Sequence, residues 1–114
     1  MTKTNPGNFF EDFELGQVIE HATPRTVTDG DRGVYGAIYP TRFALPSSGE
    51  FASQSGLDRP PVEELIGFHI AFGKTVPDVS LNAVANLGYA ECRFHRPVLT
   101  GDTLRTSSEV IGLK

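Results

Sequence analysis

The chain has 114 residues, a length that suits one small domain with a single hydrophobic core. Its 39% of apolar and 21% of charged residues are ordinary for a folded globular protein, which excludes general disorder. A net charge of −4 and the lack of a Lys/Arg cluster argue against nucleic acid as a partner. Without an apolar run of about 18 residues or an apolar leader, we expect neither a membrane span nor a secretion signal.

The first half of the chain predicts a strand and two short helices. Residues 1–8 are polar and predict a loose tail, followed by one domain over residues 9–114. Gln17–Thr23 alternates between two faces, which is typical of a strand. Thr28 and Asp29 are good N-caps for a helix that Pro40 ends. Ser47 or Ser48 is predicted to cap a second short helix that stops at Gly56, and a cap is a better interpretation of these serines than a nucleophile.

The most distinctive segment is a predicted helix from Val62 to about Phe72, introduced by Pro60 and Pro61 in or near its first turn. It is apolar on nearly every side after Glu64, which predicts a buried helix. In the second half, Tyr89–Phe94 alternates and Thr103–Ile111 is rich in Thr, Ser and Val, so we expect two strands joined as a hairpin.

These elements predict an α+β fold in which an antiparallel sheet wraps a central helix. A sheet able to enclose a helix needs about five strands, and the sequence offers about three. The sequence therefore predicts either a piece of a longer protein or a fold that a partner subunit completes.

Three motifs carry a resemblance to a known family. Phe94-His95-Arg96-Pro97-Val98-Leu99-Thr100-Gly101-Asp102-Thr103-Leu104 resembles a hairpin of hotdog-fold acyl-CoA enzymes. Pro40-Thr41-Arg42-Phe43-Ala44-Leu45-Pro46, with Ala52 six positions on, is similar in register to the G-D-x-N-P-L-H motif of MaoC-type (R)-specific enoyl-CoA hydratases. The run from Phe72 to Glu91 resembles the corresponding stretch of mesaconyl-CoA hydratases, also called beta-methylmalyl-CoA dehydratases.

This resemblance implies the first unit of a double hotdog, part of an enzyme that adds water reversibly to a branched dicarboxylic enoyl-CoA. The family's catalytic Asp and His fall at Thr41 and Pro46, neither of which can move a proton at neutral pH. The resemblance therefore implies that the catalytic pair lies elsewhere and that this unit shapes the acyl and CoA pocket. A non-catalytic acyl-CoA-binding or assembly module is the alternative, and a thioesterase using Glu63 or Glu64 is a weaker third interpretation.

Three residues are candidates for substrate binding. Arg42 could bind a CoA phosphate or a substrate carboxylate, because its planar fork suits both, or could simply be a surface arginine. His69 is either a satisfied core histidine or a residue of the pocket wall. Lys74 is a weaker phosphate candidate.

The remaining expectations concern cofactors, cysteine and location. No metal site and no cofactor are expected, the CoA thioester being the substrate, and His21 and His95 are expected to be solvated. The single cysteine, Cys92, is expected to be a buried thiol, and its lack of a disulfide partner fits the cytoplasm. The expected partners are an acyl-CoA and either a second hotdog unit or another copy of the chain.

Overall fold

The computed structural model describes residues 6–114. Its α-helices are α1 (Asp29–Ile38), α2 (Ala44–Ser47), α3 (Gly49–Gln54) and α4 (Glu64–Thr75). Its strands are β1 (Val18–Glu20), β2 (Arg25–Thr26), β3 (Thr103–Leu104) and β4 (Ser107–Glu109). A 3-10 turn, Phe10–Asp12, precedes β1, and a π-helical turn, Val76–Ser80, continues from α4.

The four strands form two short antiparallel pairs along one bent ribbon. β1 pairs with β4, and β2 pairs with β3. Between the two pairs the chain forms a bulge. His21 N–H donates to the Thr106 carbonyl, and Arg25 lies opposite Leu104. Three residues, 22–24, therefore face the single residue Arg105. Thr23 lies in this bulge with φ +57°, a left-handed conformation that is uncommon for a β-branched residue. The predicted strand Gln17–Thr23 is therefore correct in place but ends at Glu20.

Both predicted helix caps are confirmed. The Thr28 side chain accepts from Asp31 N–H at the start of α1, and the Asp31 carboxylate accepts from Thr28 N–H in return, which forms a capping box. The Ser48 side chain accepts from Phe51 N–H at the start of α3. These local hydrogen bonds fix where α1 and α3 begin.

The central helix α4 is buried on one side only. Its buried residue Ile66 packs with Val27 and Val62 in the small core, against which partly buried neighbours lie: Tyr35, Ile70, Val98 and Leu104. Leu65, the next residue along, is 50% exposed. The prediction of burial on all sides is thus wrong, because the short strands within residues 6–114 cover a single face. The helix also starts later than predicted, since the two prolines precede its first turn and Pro61 instead forms a bridge with Leu99.

The predicted strand Tyr89–Phe94 is wrong for the structure of this chain. Residues 89–94 form no strand, and residues 89–97 are all exposed. The predicted hairpin is also wrong, because Thr103–Leu104 pairs with β2 near the start of the domain. The turn between them is present: Gly101 has φ +94°, and Asp102 accepts from Leu99 N–H and donates back to its carbonyl. An alternating sequence thus stays unpaired because no neighbouring strand within the described part reaches it.

The predicted tail, residues 1–8, is described only in part. Met1–Asn5 lie outside the described residues. Pro6 and Asn8 are held by hydrogen bonds, since the Asn82 side chain donates to the Pro6 carbonyl and the Asn8 side chain donates to the Asp78 carbonyl. Gly7 is buried between them. Residues 6–8 are therefore held against the residues that follow α4.

Candidate functional site

Three clefts surround α4, and the first lies between α1 and α4. It has a volume of about 610 Å³, and its apolar wall includes Val34, Ile38 and Ile70. Charged and polar side chains stand among them: Arg25, Asp31, Tyr35, Tyr39, His69 and Lys74. We call it the α1–α4 cleft. Two of the three predicted binding residues, His69 and Lys74, therefore line one cavity.

His69 belongs to the wall of the α1–α4 cleft and not to the core. The residue is exposed, and its ring centroid lies 6.3 Å from that of Tyr35 across the cleft. The core alternative for His69 is thus wrong. Arg42, the third predicted binding residue, is exposed and lines none of the three clefts.

The second cleft lies on the opposite side of α4, against residues 92–98. It measures about 780 Å³, with Phe68, Ala71 and Val98 among its apolar wall residues. Cys92 and His95 also line it, and both are exposed. The expectation of a buried Cys92 is therefore wrong, because the segment that carries it does not pair into a sheet. We call this space the α4–92 cleft.

The third cleft is the smallest of the three, and it is lined by both positions that the motif resemblance assigns to a catalytic Asp and His. It measures about 350 Å³, and Thr41, Pro46 and Glu63 line it. Thr41 accepts from Phe43 N–H through its hydroxyl, and the Pro46 carbonyl accepts from Arg32 Nη2 at 2.7 Å. The two positions thus share one site, but neither side chain there can act as an acid or base at neutral pH.

A hydrogen-bonded relay joins the middle of the π-helical turn to the β1–β4 pair. His21 Nδ1 lies 2.7 Å from Asp78 Oδ2, and His21 Nε2 lies 2.7 Å from the Ser108 hydroxyl. Because a carboxylate only accepts, Nδ1 carries the proton that it shares with Asp78. The imidazole is fully buried, so the expectation of a solvated His21 is wrong.

This relay has the residue types of a hydrolytic triad, but its surroundings favour a structural role. His21, Asp78 and Ser108 line none of the three clefts. We interpret the relay as a link that holds the turn after α4 against β1 and β4. Sequence patterns gave no signal for it, since its members are 57 and 87 residues apart.

The electrostatics of the α1–α4 cleft centre on one ion pair. Arg25 Nη2 lies 2.6 Å from Asp31 Oδ1. The hydrogen bond from Arg25 is the main cause that lowers the pKa of Asp31 below its ordinary value, and the bond from Thr28 N–H adds to it. Asp31 is therefore ionised at the pH of the cell, and its carboxylate is already bound by Arg25 and Thr28.

Among residues 6–114, no helix is long and apolar enough to cross a membrane. Within that same range, no group of three or more His, Cys, Asp or Glu side chains could hold a metal ion.

Comparison with known proteins gives the family. The family described as MaoC like domain matches residues 12–114, and the chain belongs to it. It is 64% identical over 98% of its length to a beta-methylmalyl-CoA dehydratase of Chloroflexus aurantiacus and to a mesaconyl-CoA hydratase of Cereibacter sphaeroides. It spans about a third of the length of these relatives, 32% and 33% respectively.

Solved structures give the fold. A crystal structure of a MaoC domain protein dehydratase from Chloroflexus aurantiacus is 63% identical, with a TM-score of 0.91 over 98% of this chain and 32% of that one. A Mycobacterium tuberculosis protein described as a double hotdog is 30% identical, with a TM-score of 0.83 over 93% of this chain and 32% of that one. The α+β hotdog fold is thus confirmed, with an antiparallel sheet and a long helix.

Proposed function

We propose that this chain is the first hotdog unit of an enoyl-CoA hydratase/dehydratase acting on a branched dicarboxylic acyl-CoA such as mesaconyl-CoA. The names and 64% identity of the two relatives support this substrate class. Hydration forms a bond from water oxygen to one carbon of the double bond and a bond from a proton to its neighbour. Both steps need a positioned acid–base pair.

Thr41 and Pro46 carry the proposal that this unit does not supply that pair. By the motif resemblance they correspond to the family's Asp and His, and they line the same small cleft. A threonine hydroxyl and a proline ring exchange no proton at neutral pH. The acid–base pair is therefore proposed to lie in a second hotdog unit, and this unit is proposed to shape the pocket.

The two larger clefts suit the two parts of an acyl-CoA. The α4–92 cleft, at about 780 Å³, is within the range of small-molecule sites. The α1–α4 cleft combines an apolar wall with His69 and Lys74. A thioester with an apolar chain and anionic groups matches such a lining. No cofactor is needed for this reaction, and a CoA thioester as substrate fits a cytoplasmic enzyme.

The dimensions of the chain support a partner that covers α4 and residues 81–98. Its radius of gyration is 16.9 Å, whereas a compact chain of this length has about 13 Å. Its accessible surface is 8667 Å², against about 6,100 Å² expected for a folded monomer of this mass. Val84 and Leu87 are essentially fully exposed, at 103% and 98%.

This excess surface is larger than one side of a standard protein interface, about 800 Å². Apolar side chains and unpaired extended backbone of this extent favour association. We therefore propose that residues 9–114 form the first unit of a double hotdog and that a second unit covers this surface. In the isolated chain, another copy is expected to take that place, so light scattering should find a dimer or marginal solubility. A stable monomer at high concentration would contradict this part of the proposal.

The catalytic part is tested with the purified 114-residue chain. We expect calorimetry to detect binding of mesaconyl-CoA or crotonyl-CoA and a hydration assay to detect no turnover. Turnover that a substitution within this chain abolishes would show that the acid–base pair lies here after all. Absence of any binding would contradict the pocket role and leave an assembly module as the better interpretation.

A further inference from the structure

We infer that Arg25, together with Lys74, is the site that recognises the free carboxylate of a dicarboxylic acyl group in the α1–α4 cleft. This inference rests on the proposed function and names the residues that select its substrate. It moves the carboxylate-binding role from Arg42, the sequence candidate, because Arg42 lines none of the three clefts.

The first observation is an incomplete set of hydrogen bonds on Arg25. Its Nη2 donates to Asp31, but its Nη1 is buried and has no acceptor within residues 6–114. A buried guanidinium N–H without an acceptor is unfavourable, and an incoming carboxylate would remove that cost. The side chain as a whole is 42% exposed and lines the cleft, so the guanidinium lies at the wall that a ligand in the cleft would contact.

The second observation is the charge balance of the cleft. Arg25 and Lys74 are cationic there, and Asp31 is the acidic residue among the lining side chains. Asp31 already accepts from Arg25 and from Thr28 N–H, so it does not neutralise Lys74. Lys74 makes no ion pair within the described part of the chain. The cleft thus carries one positive charge in excess and attracts an anion.

The third observation is the apolar wall beside these cations. Val34, Ile38 and Ile70 would contact a short branched carbon chain, while Arg25 would bind its end. A guanidinium fork suits a planar carboxylate and can bind both oxygens. The chemical class that fits is therefore an acyl group with a terminal carboxylate, whereas an acyl group ending in a methyl leaves Arg25 Nη1 without an acceptor.

The test uses two esters of mesaconate titrated into the isotopically labelled chain and followed by NMR. The monomethyl ester has one free carboxylate and an ester in place of the thioester, and the dimethyl ester has the same carbon skeleton without the charge. We expect the monoester to shift amide signals of α1 and α4 and to bind at least tenfold more tightly than the diester. Equal binding of the two esters would overturn the inference.

Variants separate Arg25 from other cations. Arg25→Gln should weaken monoester binding about tenfold, Lys74→Met several-fold, and the exposed Arg59→Gln not at all. Because Arg25 also pairs with Asp31, thermal unfolding of each variant is measured to show that it is folded. If Arg25→Gln unfolds, Arg25→Lys, which keeps the charge but loses the planar fork, and Lys74→Met replace it in the binding test. A loss caused by Arg42→Gln but not by Arg25→Gln would assign the site to Arg42 and overturn the inference.

The test also distinguishes this inference from the proposed function. If mesaconyl-CoA binds, but the variants at Arg25 and Lys74 bind the monoester as tightly as the parent chain does, the inference fails and the proposed function stands. If neither mesaconyl-CoA nor the monoester binds, the proposed pocket itself fails.

Discussion

Truncation of Ile66 tests whether α4 is anchored on one face only. Ile66 is 6% exposed and packs with Val27 and Val62, whereas the adjacent Leu65 is 50% exposed. Ile66→Ala removes three carbons from the core, worth about 2.4 kcal/mol at roughly 0.8 kcal/mol for each buried CH₂ group. The cavity left behind adds to this, so we expect a loss of about 3 kcal/mol in the free energy of unfolding.

Leu65→Ala is the matched control, because it removes the same number of carbons from the same helix. Half of that residue is already in water, so we expect a loss of about 1.2 kcal/mol, half of the burial contribution lost in Ile66→Ala. The assay is urea unfolding followed by circular dichroism, and a Tm lower by about 12 °C or more should accompany Ile66→Ala. Equal losses for the two variants would refute the one-sided anchoring of α4.

The remaining predictions concern the helix cap, acid and the buried relay. Thr28→Ala removes the acceptor for Asp31 N–H, and chemical denaturation should show a loss of about 1 kcal/mol; an unchanged midpoint would mean that the cap is not needed. Because the folded-state pKa of Asp31 is lowered, its stabilisation is present above the unfolded pKa and is lost as the pH falls below about 4. Denaturation midpoints measured down that range should fall less in Asp31→Asn than in the parent chain, and parallel curves would contradict this. Asp78→Ala leaves the fully buried imidazole of His21 without its carboxylate partner, and should lower the free energy of unfolding by about 1–3 kcal/mol. The control Asp58→Ala removes an exposed carboxylate and should leave the free energy of unfolding nearly unchanged. A larger loss for Asp58→Ala than for Asp78→Ala would contradict the structural role of the relay.

The sequence predicted local features well. Thr28 and Ser48 cap helices as expected, because a cap depends on residues three apart in the chain. The turn at Gly101 and Asp102 is also present for local reasons, a positive φ and a side chain that bonds its own backbone. The hotdog fold itself was predicted from the three motifs and from the apolar run that forms α4.

Features that depend on distant residues could not be predicted in the same way. Tyr89–Phe94 has the alternation of a strand, but a strand also needs a neighbour, and none lies beside it in the described structure. The burial of His21 depends on Asp78 and Ser108, which no local pattern connects to it. Leu65 is exposed for the related reason that the elements over its side of α4 are lacking within residues 6–114.

The binding roles of Arg42, His69 and Lys74 stay predictions. His69 and Lys74 lie on α4 and line one cleft, whereas Arg42 does not line it. Arg25 was not predicted, because its pairing with Asp31 of α1 and its place in the wall of the α1–α4 cleft depend on the folded chain. Thr41 and Pro46 line one cleft, and their correspondence to the family's catalytic Asp and His stays a prediction.

The most direct test of the central proposal is a chimaera. In it, this chain replaces the matching N-terminal third of the Chloroflexus aurantiacus beta-methylmalyl-CoA dehydratase, to which it is 64% identical. Hydration of mesaconyl-CoA is then measured for the chimaera and for the 114-residue chain alone. We predict that the folded chimaera is active and that the chain alone is not. A folded chimaera that binds the thioester without hydrating it, or turnover by the chain alone, would contradict the account.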